Sequence, residues 1–432
     1  MNGFEVAIAL LLAFVTLEQA IAVAIFLAYC RRPPRLRSED DLPNTLVVLA
    51  LRGCDPSLRD CLRALFSQDY PRYTVRVVVD NRADPAWGMV ERAIQERNAT
   101  HVSVRALKDP SDQCTLKCSA LYQATADLEG AVDVVAFLDA DVIPHRTWLR
   151  ELVNPLDDAS VGAAMGNRWY APRDGHWGSL VRFVWNVGAV INMYYWNIPW
   201  GGTLAVRADI LRNTDLRAQW SKAGCDDVPL YRVLLKLRLK LVFVPDLLLV
   251  NRDEINVTRC LKFVWRQMLW VRLYHPVCWW ICAVFHYLTI AAQWAALVLA
   301  PLAVWTERWV AAGVLAGLFL ANYLVTFALV VCVERQARRV LASRGGGNTV
   351  RWTKILAALQ LTQVVTAVAF LYAWFARVVE WRGIRYRVRG PWSIQMVEYH
   401  PSTATTAGTR SGAHLAEVIT ASESNPTESG EG

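Results

Sequence analysis

Two pairs of carboxylates carry the spacing that chemistry would need. Asp139-Ala140-Asp141 follows directly on the apolar run 132–138, so a strand would hold both acids at its carboxyl end. Hard divalent cations such as Mg²⁺ or Mn²⁺ take one or two carboxylates together with phosphate oxygens. A cation there would neutralise a departing nucleotide diphosphate; a solvated turn with two acids is the plainer alternative. Asp226-Asp227 precedes an apolar helical pattern at 230–237. Acids at a helix start serve capping and dipole compensation, or one of them takes a proton from a hydroxyl nucleophile as general base. Asp80 closes the run 75–79, where it either accepts hydrogen bonds from a nucleobase or ribose or initiates a turn. Lys117 opens a helix after a loop containing Asp112 and Gln113, as a point charge for a diphosphate or as a solvated lysine. The glycines of Pro199-Trp200-Gly201-Gly202-Thr203 permit close backbone approach to a ligand, or form a tight turn. Residues 259–272 mix Arg266, Gln267 and Arg272 with Phe263, Trp265 and Trp270, the pattern of an interfacial amphipathic helix.

Positioning these groups requires a sheet. Apolar, β-branched runs at 45–51, 75–79, 102–107 and 132–138 alternate with helical patterns at 56–66, 87–97 and 116–128. Such alternation predicts an α/β fold with a mostly parallel central sheet covered by helices on both faces. Ligands of open sheets sit at the carboxyl ends of the strands, where Asp80 and the Asp139/Asp141 pair both fall.

The 432 residues are 54% hydrophobic and 19% charged, and the apolar residues gather in long runs that rule out a purely soluble chain. Run 6–29 is long enough to span and is followed by Arg31, Arg32, Arg35 and Arg37. A cleavable signal peptide carries its charge before the apolar run. The reverse order reads as a signal anchor, N-terminus outside and the next domain cytoplasmic. Runs 277–305 and 309–333, separated by Thr306-Glu307-Arg308, form a tight helical hairpin. Run 355–379 carries Gln360, Thr362 and Gln363, and spanning would place Arg382, Arg385, Arg387 and Arg389 outside, against the positive-inside tendency. Two readings of that run stay open, spanning and re-entrant or interfacial.

The organisation expected is therefore a transmembrane anchor at 1–30 and a cytoplasmic domain at 42–275 whose interfacial helix lies at 259–275. About three C-terminal membrane helices at 276–380, a basic segment at 381–400 and a disordered tail at 401–432 follow. The net charge of +8 lies in arginines beside apolar runs, which points to the bilayer and away from nucleic acid. The ten cysteines show neither a disulfide framework nor a zinc pattern, and read as reduced thiols.

Taken in order, Asp80, Lys117, Asp139-Ala140-Asp141, Trp200-Gly201-Gly202-Thr203, Asp226-Asp227 and the Arg266 region resemble a membrane-anchored family 2 glycosyltransferase. Within it they are most similar to the ceramide-glucosyltransferase-like branch. The resemblance covers roughly residues 46–389, including Trp381-Arg382-Gly383-Ile384-Arg385-Tyr386. It implies a GT-A (nucleotide-diphospho-sugar transferase) fold that moves a hexose, typically glucose, from a UDP-sugar to a membrane-lipid hydroxyl with inversion, assisted by Mg²⁺ or Mn²⁺. Asp80 would then bind the uridine, and Asp139 the donor ribose or diphosphate beside Lys117, Gly201 and Gly202. Asp141 would hold the metal and Asp227 would be the base. Asp226 stands where the family has Glu. The (Gln/Arg)-x-x-Arg-Trp motif reads Arg266-Gln267-Met268-Leu269-Trp270, with Leu269 in place of Arg, so Arg266 or Arg272 would replace the diphosphate contact. A processive polysaccharide synthase and a non-catalytic membrane scaffold are the competing functions. The lost motif Arg counts against the first, the retained Asp141 and Asp227 against the second.

Overall fold

The computed structural model describes residues 1–32, 39, 41–128, 130–344 and 350–403. The expected glycine loop at 345–347 and the tail from 404 onward lie outside the described residues. After α1 (Gly3–Cys30) the chain alternates through β1 (Thr45–Leu51), α2 (Leu58–Leu65), β2 (Tyr73–Val79), α3 (Pro85–Arg97), β3 (Val102–Ala106), α4 (Leu116–Ala124) and β4 (Val134–Leu138). The domain is completed by α5 (Trp148–Val153), β5 (Val161–Tyr170), α6 (Trp177–Trp196), β6 (Thr203–Arg207), α7 (Ala208–Asn213), α8 (Leu216–Trp220), α9 (Pro229–Leu237) and β7 (Lys240–Asn251). The strands form one sheet in the order β3-β2-β1-β4-β6-β5-β7. Only β6 runs antiparallel to its neighbours, β4 and β5. This is the expected α/β arrangement with a mostly parallel sheet.

Successive side chains of a strand point to opposite faces, and the core divides accordingly. Leu46, Val48, Val135 and Phe137 enter one apolar layer, while Val47, Leu49, Val134, Ala136 and Leu138 enter the other. Strands buried on both faces need continuous apolar runs, which is why β1 and β4 were legible. Helix α4 stops at Ala124, short of the expected 128. There the Thr125 hydroxyl turns back to the Leu121 carbonyl at 2.8 Å, and Asp127 is drawn to Arg105 at 3.0 Å.

The chain continues into α10 (Val257–Tyr274), α11 (Pro276–Trp305), α12 (Trp309–Ala342) and α13 (Trp352–Phe375). Among the described residues, α1, α11, α12 and α13 are long and apolar enough to cross a membrane. The α11–α12 hairpin turns in three residues as expected, and Arg308 in that turn pairs with Glu5 at the start of α1. Amides and hydroxyls stitch the helices together: Gln293 donates to Asn322 at 2.7 Å, Asn322 to Thr16 at 2.8 Å, and Thr326 to Gln19 at 3.1 Å. Helix α12 runs past the expected residue 333 because its last turns dock on the sheet domain. Buried Glu334 accepts from the Trp169 indole at 2.9 Å and pairs with Arg338. Helix α13 packs Val365 and Ala369 against Val181 of α6 and Cys260 and Val264 of α10. At its start Arg351 and Lys354 lie against Gly175, and just beyond its end Arg377 accepts from Val388.

The basic segment holds more structure than its charge suggested. Strands β8 (Val378–Trp381), β9 (Ile384–Gly390) and β10 (Ser393–Glu398) form an antiparallel sheet. Ile384, Tyr386 and Val388 are buried while Arg385, Arg387 and Arg389 are exposed, a strict two-residue alternation. Arg382 and Gly383 join β8 to β9 with φ of +52° and +73°, the double left-handed turn that two-residue hairpins favour. The Tyr386 hydroxyl accepts from the Leu116 amide at 3.2 Å, which seats this sheet over the start of α4.

Candidate active site

One cavity of about 1420 Å³ receives side chains from the carboxyl ends of β1, β2, β4 and β5 and from the starts of α4 and α9. At its polar end Lys117 is the hub. Its ammonium lies 2.9 Å from Asp139 and 3.1 Å from Asp226, so it joins the two acidic motifs instead of standing free for a diphosphate. Arg168, reaching from β5, contacts Asp139 at 2.8 Å and Asp141 at 2.7 Å. Burial alone would raise the Asp139 carboxyl, but Lys117 and Arg168 outweigh it and hold the group down to about 2. Asp141 shifts the other way. Burial raises it, Arg168 opposes that, and the neighbouring Asp139 adds to the rise.

The Asp226-Asp227 pair divides its work by depth. Asp226 is buried and its carboxyl is pushed up to about 6 by that burial, with Lys117 countering and Asp227 and Asp139 reinforcing. Its backbone carbonyl is fixed by the Trp220 indole at 2.8 Å. Asp227 is only half-buried and lines the cavity. Its two oxygens accept single backbone hydrogen bonds, from Gly201 at 2.9 Å and Val228 at 2.8 Å, which aim the carboxylate and leave it lone pairs. The glycines make room for acids. A Cβ at Gly201 would come within 2.2 Å of an Asp226 oxygen, and one at Gly202 within 2.0 Å of the Trp200 ring and 2.7 Å of an Asp139 oxygen.

Asp80 sits at the end of β2 as expected and is enclosed by the chain itself. Arg52 pairs with it, Tyr399 donates its hydroxyl at 2.8 Å, and Ser402 its amide at 2.9 Å. Helix α10 separates its motif residues. Arg266 and Gln267 line the cavity, and Arg266 lies over the Trp381 ring at 5.6 Å. Burial pulls the Arg266 guanidinium down to about 10, with Arg382 and Arg168 adding repulsion. Trp270 packs flat against Gly224, where a Cβ would meet its ring at 2.2 Å, so its first duty is packing. The expectation that Arg272 replaces a diphosphate contact is corrected. It lies over Trp374 at 5.7 Å and does not line the cavity, because six residues at about 100° each carry it roughly 120° round the helix from Arg266.

Three cavity-lining groups were missed from sequence. Arg168 is a lone charge inside a buried strand, a signal that was available. Arg52 follows the last residue of β1, where the strand-end rule applied to Asp80 would have found it. Arg382 was named within segment 381–386 and counted among the basic residues, but given no role. As to metal ligands, no cluster of three or more His, Cys, Asp or Glu converges among the described residues. Asp139 and Asp141 converge as a hard-oxygen pair on one guanidinium, a donor set that suits a cation shared with phosphate oxygens.

A two-faced sheet with acids at its carboxyl edge is thus joined to apolar helices by one cavity. The chain matches the model of glycosyl transferase family 21 over residues 8–392 and belongs to that family. It is similar to the ceramide glucosyltransferase of Pyricularia oryzae, with 32% identity over 135 residues that cover 29% of this chain and 26% of the relative. It is also similar to that of Gibberella zeae, at 25% over 153 residues covering 33% and 29%. The chain thus matches under a third of the length of these relatives. Among solved structures it resembles a mannosyltransferase of Pyrobaculum calidifontis, in complex with GDP-Man and Mn²⁺. That likeness has a TM-score of 0.46 and 16% identity, over 85% of this chain and 99% of the other.

Proposed function

We propose that this protein transfers one hexose, glucose first among candidates, from a UDP-sugar to the hydroxyl of a membrane lipid, ceramide-like or related, with inversion at the anomeric carbon. The observation that carries this reading is the continuity of the cavity. Asp139, Asp141 and Asp227 line one end, and Phe14 and Ile21 of α1, Phe285 of α11 and Thr326 of α12 line the other. A sugar donor held at the sheet edge and a lipid entering from the bilayer would meet without either leaving its own solvent.

In this reading Asp227 takes the proton from the acceptor hydroxyl as it attacks. An alcohol ionises far above neutral pH, so attack needs a positioned acceptor for that proton. Asp139 stands on the nucleoside side of the donor, Asp80 shapes that side through the Arg52 and Tyr399 side chains it holds, and Lys117 keeps Asp139 and Asp226 ionised and in register. Asp141, with Asp139, would hold a divalent cation, which when bound supplies the charge to stabilise a departing diphosphate. The catalytic domain is assigned to the cytoplasm from Arg31 and Arg32 at the inner end of α1. The test is chromatography of product made by the purified full chain with labelled UDP-glucose and mixed membrane lipids. A chloroform-soluble monoglycosylated lipid is expected. A water-soluble polymer that lengthens with time would replace this reading with the processive one, and no product from any sugar nucleotide would leave the scaffold.

A further inference from the structure

A leaving diphosphate needs fixed positive charge around it, and position 269 cannot supply it, since Leu269 is fully buried in the apolar core. Of the five guanidinium groups lining the cavity, Arg168 holds Asp139 and Asp141, the acids read as the cation pair; Arg52 holds Asp80 and the His400 carbonyl, and Arg182 donates to the Asp253 carbonyl. Arg266 has no carboxylate partner among the described residues and leans on the Trp381 ring. The residue after Trp381 is Arg382, whose two terminal nitrogens each donate to Asp55 at 2.8 Å. That bidentate grip holds the guanidinium plane fixed.

The backbone agrees. Arg382 occupies a φ of +52°, where Asn or Gly is the usual choice and an arginine is uncommon. The turn would form more readily with another residue, so its side chain answers a different demand. Its carbonyl accepts from the Arg52 side chain at 3.2 Å, which ties the turn to the end of β1.

We propose that Arg382, presented by the β8–β9 turn and positioned by Asp55, binds the diphosphate of the sugar nucleotide together with Arg266, in place of the guanidinium missing at position 269. Arg266 and Arg382 line the same cavity, and a diphosphate is an anion that two guanidinium groups would hold together. This rests on the sugar-nucleotide reading given above. The small C-terminal sheet then belongs to the donor site, and a chain cut before β8 would lose nucleotide affinity while keeping its membrane helices.

The experiment titrates the full chain in detergent, with Mn²⁺, against UDP and UMP, and against GDP and GMP. Wild type is expected to favour the diphosphate of its own nucleotide by tenfold or more, the usual reach of charge-assisted contacts. Arg382→Asn suits the left-handed turn and is expected to erase most of that preference while leaving the monophosphate affinity unchanged. Arg382→Lys should recover part of it, and Asp55→Asn should fall between the two. A preference unchanged in Arg382→Asn overturns the proposal, as does an equal loss for mono- and diphosphate, which would make the turn merely structural. Wild type that binds none of these nucleotides overturns the donor reading itself and the proposal with it.

Discussion

The two ends of the cavity are built on opposite plans. At the sheet edge, Lys117, Arg168, Asp139, Asp141 and Asp226 form a continuous chain of contacts between 2.7 and 3.1 Å, drawn from the ends of β4 and β5, the start of α4 and the loop before α9. At the membrane end the lining comes from helices far apart in sequence and is mostly apolar, with polar bonds such as Thr326 to Gln19 set between helices. One end fixes charge in place, as electrostatic catalysis requires. The other offers shape and little direction. A transferase of the kind proposed, exacting about its donor and open to a flexible lipid, would need that difference.

The largest expected effect comes from removing one charge at the rigid end. Asp141→Ala should abolish transfer, with the protein still folded and membrane-inserted, and excess chelator should do the same to wild type. Arg168 would then pair with Asp139 alone, so the loss would be of chemistry and not of fold. Full activity in chelator would show that the two ends do not differ through a cation.

The next effect separates the paired acids. Asp227→Asn keeps shape and removes basicity, and should cost about 10²-fold or more in turnover, the usual scale for a general base, with donor binding little changed. Asp226→Asn should cost less, and it should change the pH profile instead. The Asp226 carboxyl, pushed up to about 6 by burial, takes its proton as pH falls through that value, and Lys117 then loses one of its two anions. Wild-type activity should therefore drop on the acid side of about pH 6, and Asp226→Asn should lack that limb. A larger loss from Asp226→Asn than from Asp227→Asn would reverse their roles.

The rigid end was legible in the sequence because its logic is local. A buried strand needs a continuous apolar run, the run ends visibly, and the residue after it sits at the carboxyl edge, which placed Asp80 and Asp139. Lys117 was visible as a charge at a helix start, but its bridging of two acids depends on a fold that brings residues 117 and 226 together. The β8–β10 sheet had its signal, the alternation of Ile384, Tyr386 and Val388 with arginines, masked by attention to charge. Arg272 misled because a motif written as a string ignores helical rotation. The membrane end was almost illegible. Its composition foretold helices, but which faces would enclose a cavity depended on pairings such as Thr16 with Asn322, for which spacing along the chain carries no information.

The smallest effect, and the sharpest test of the contrast, lies at that membrane end. Ile21 of α1 lines the cavity and is about half exposed. Replacing it with Trp narrows the passage without touching any charge, on a helix face where a larger apolar side chain costs little in folding. If the acceptor enters there, Ile21→Trp should raise the apparent KM for lipid about tenfold, within the range that pocket-shape changes produce, and longer or doubly chained lipids should suffer most. Affinity for the nucleotide and its pH dependence should not move, because Ile21 has no part in the charged chain around Lys117. Equal damage to donor binding would show that the two ends are mechanically one. An unchanged KM for every lipid tried would show that the acceptor does not pass along α1, and the apolar end would then be only packing between helices.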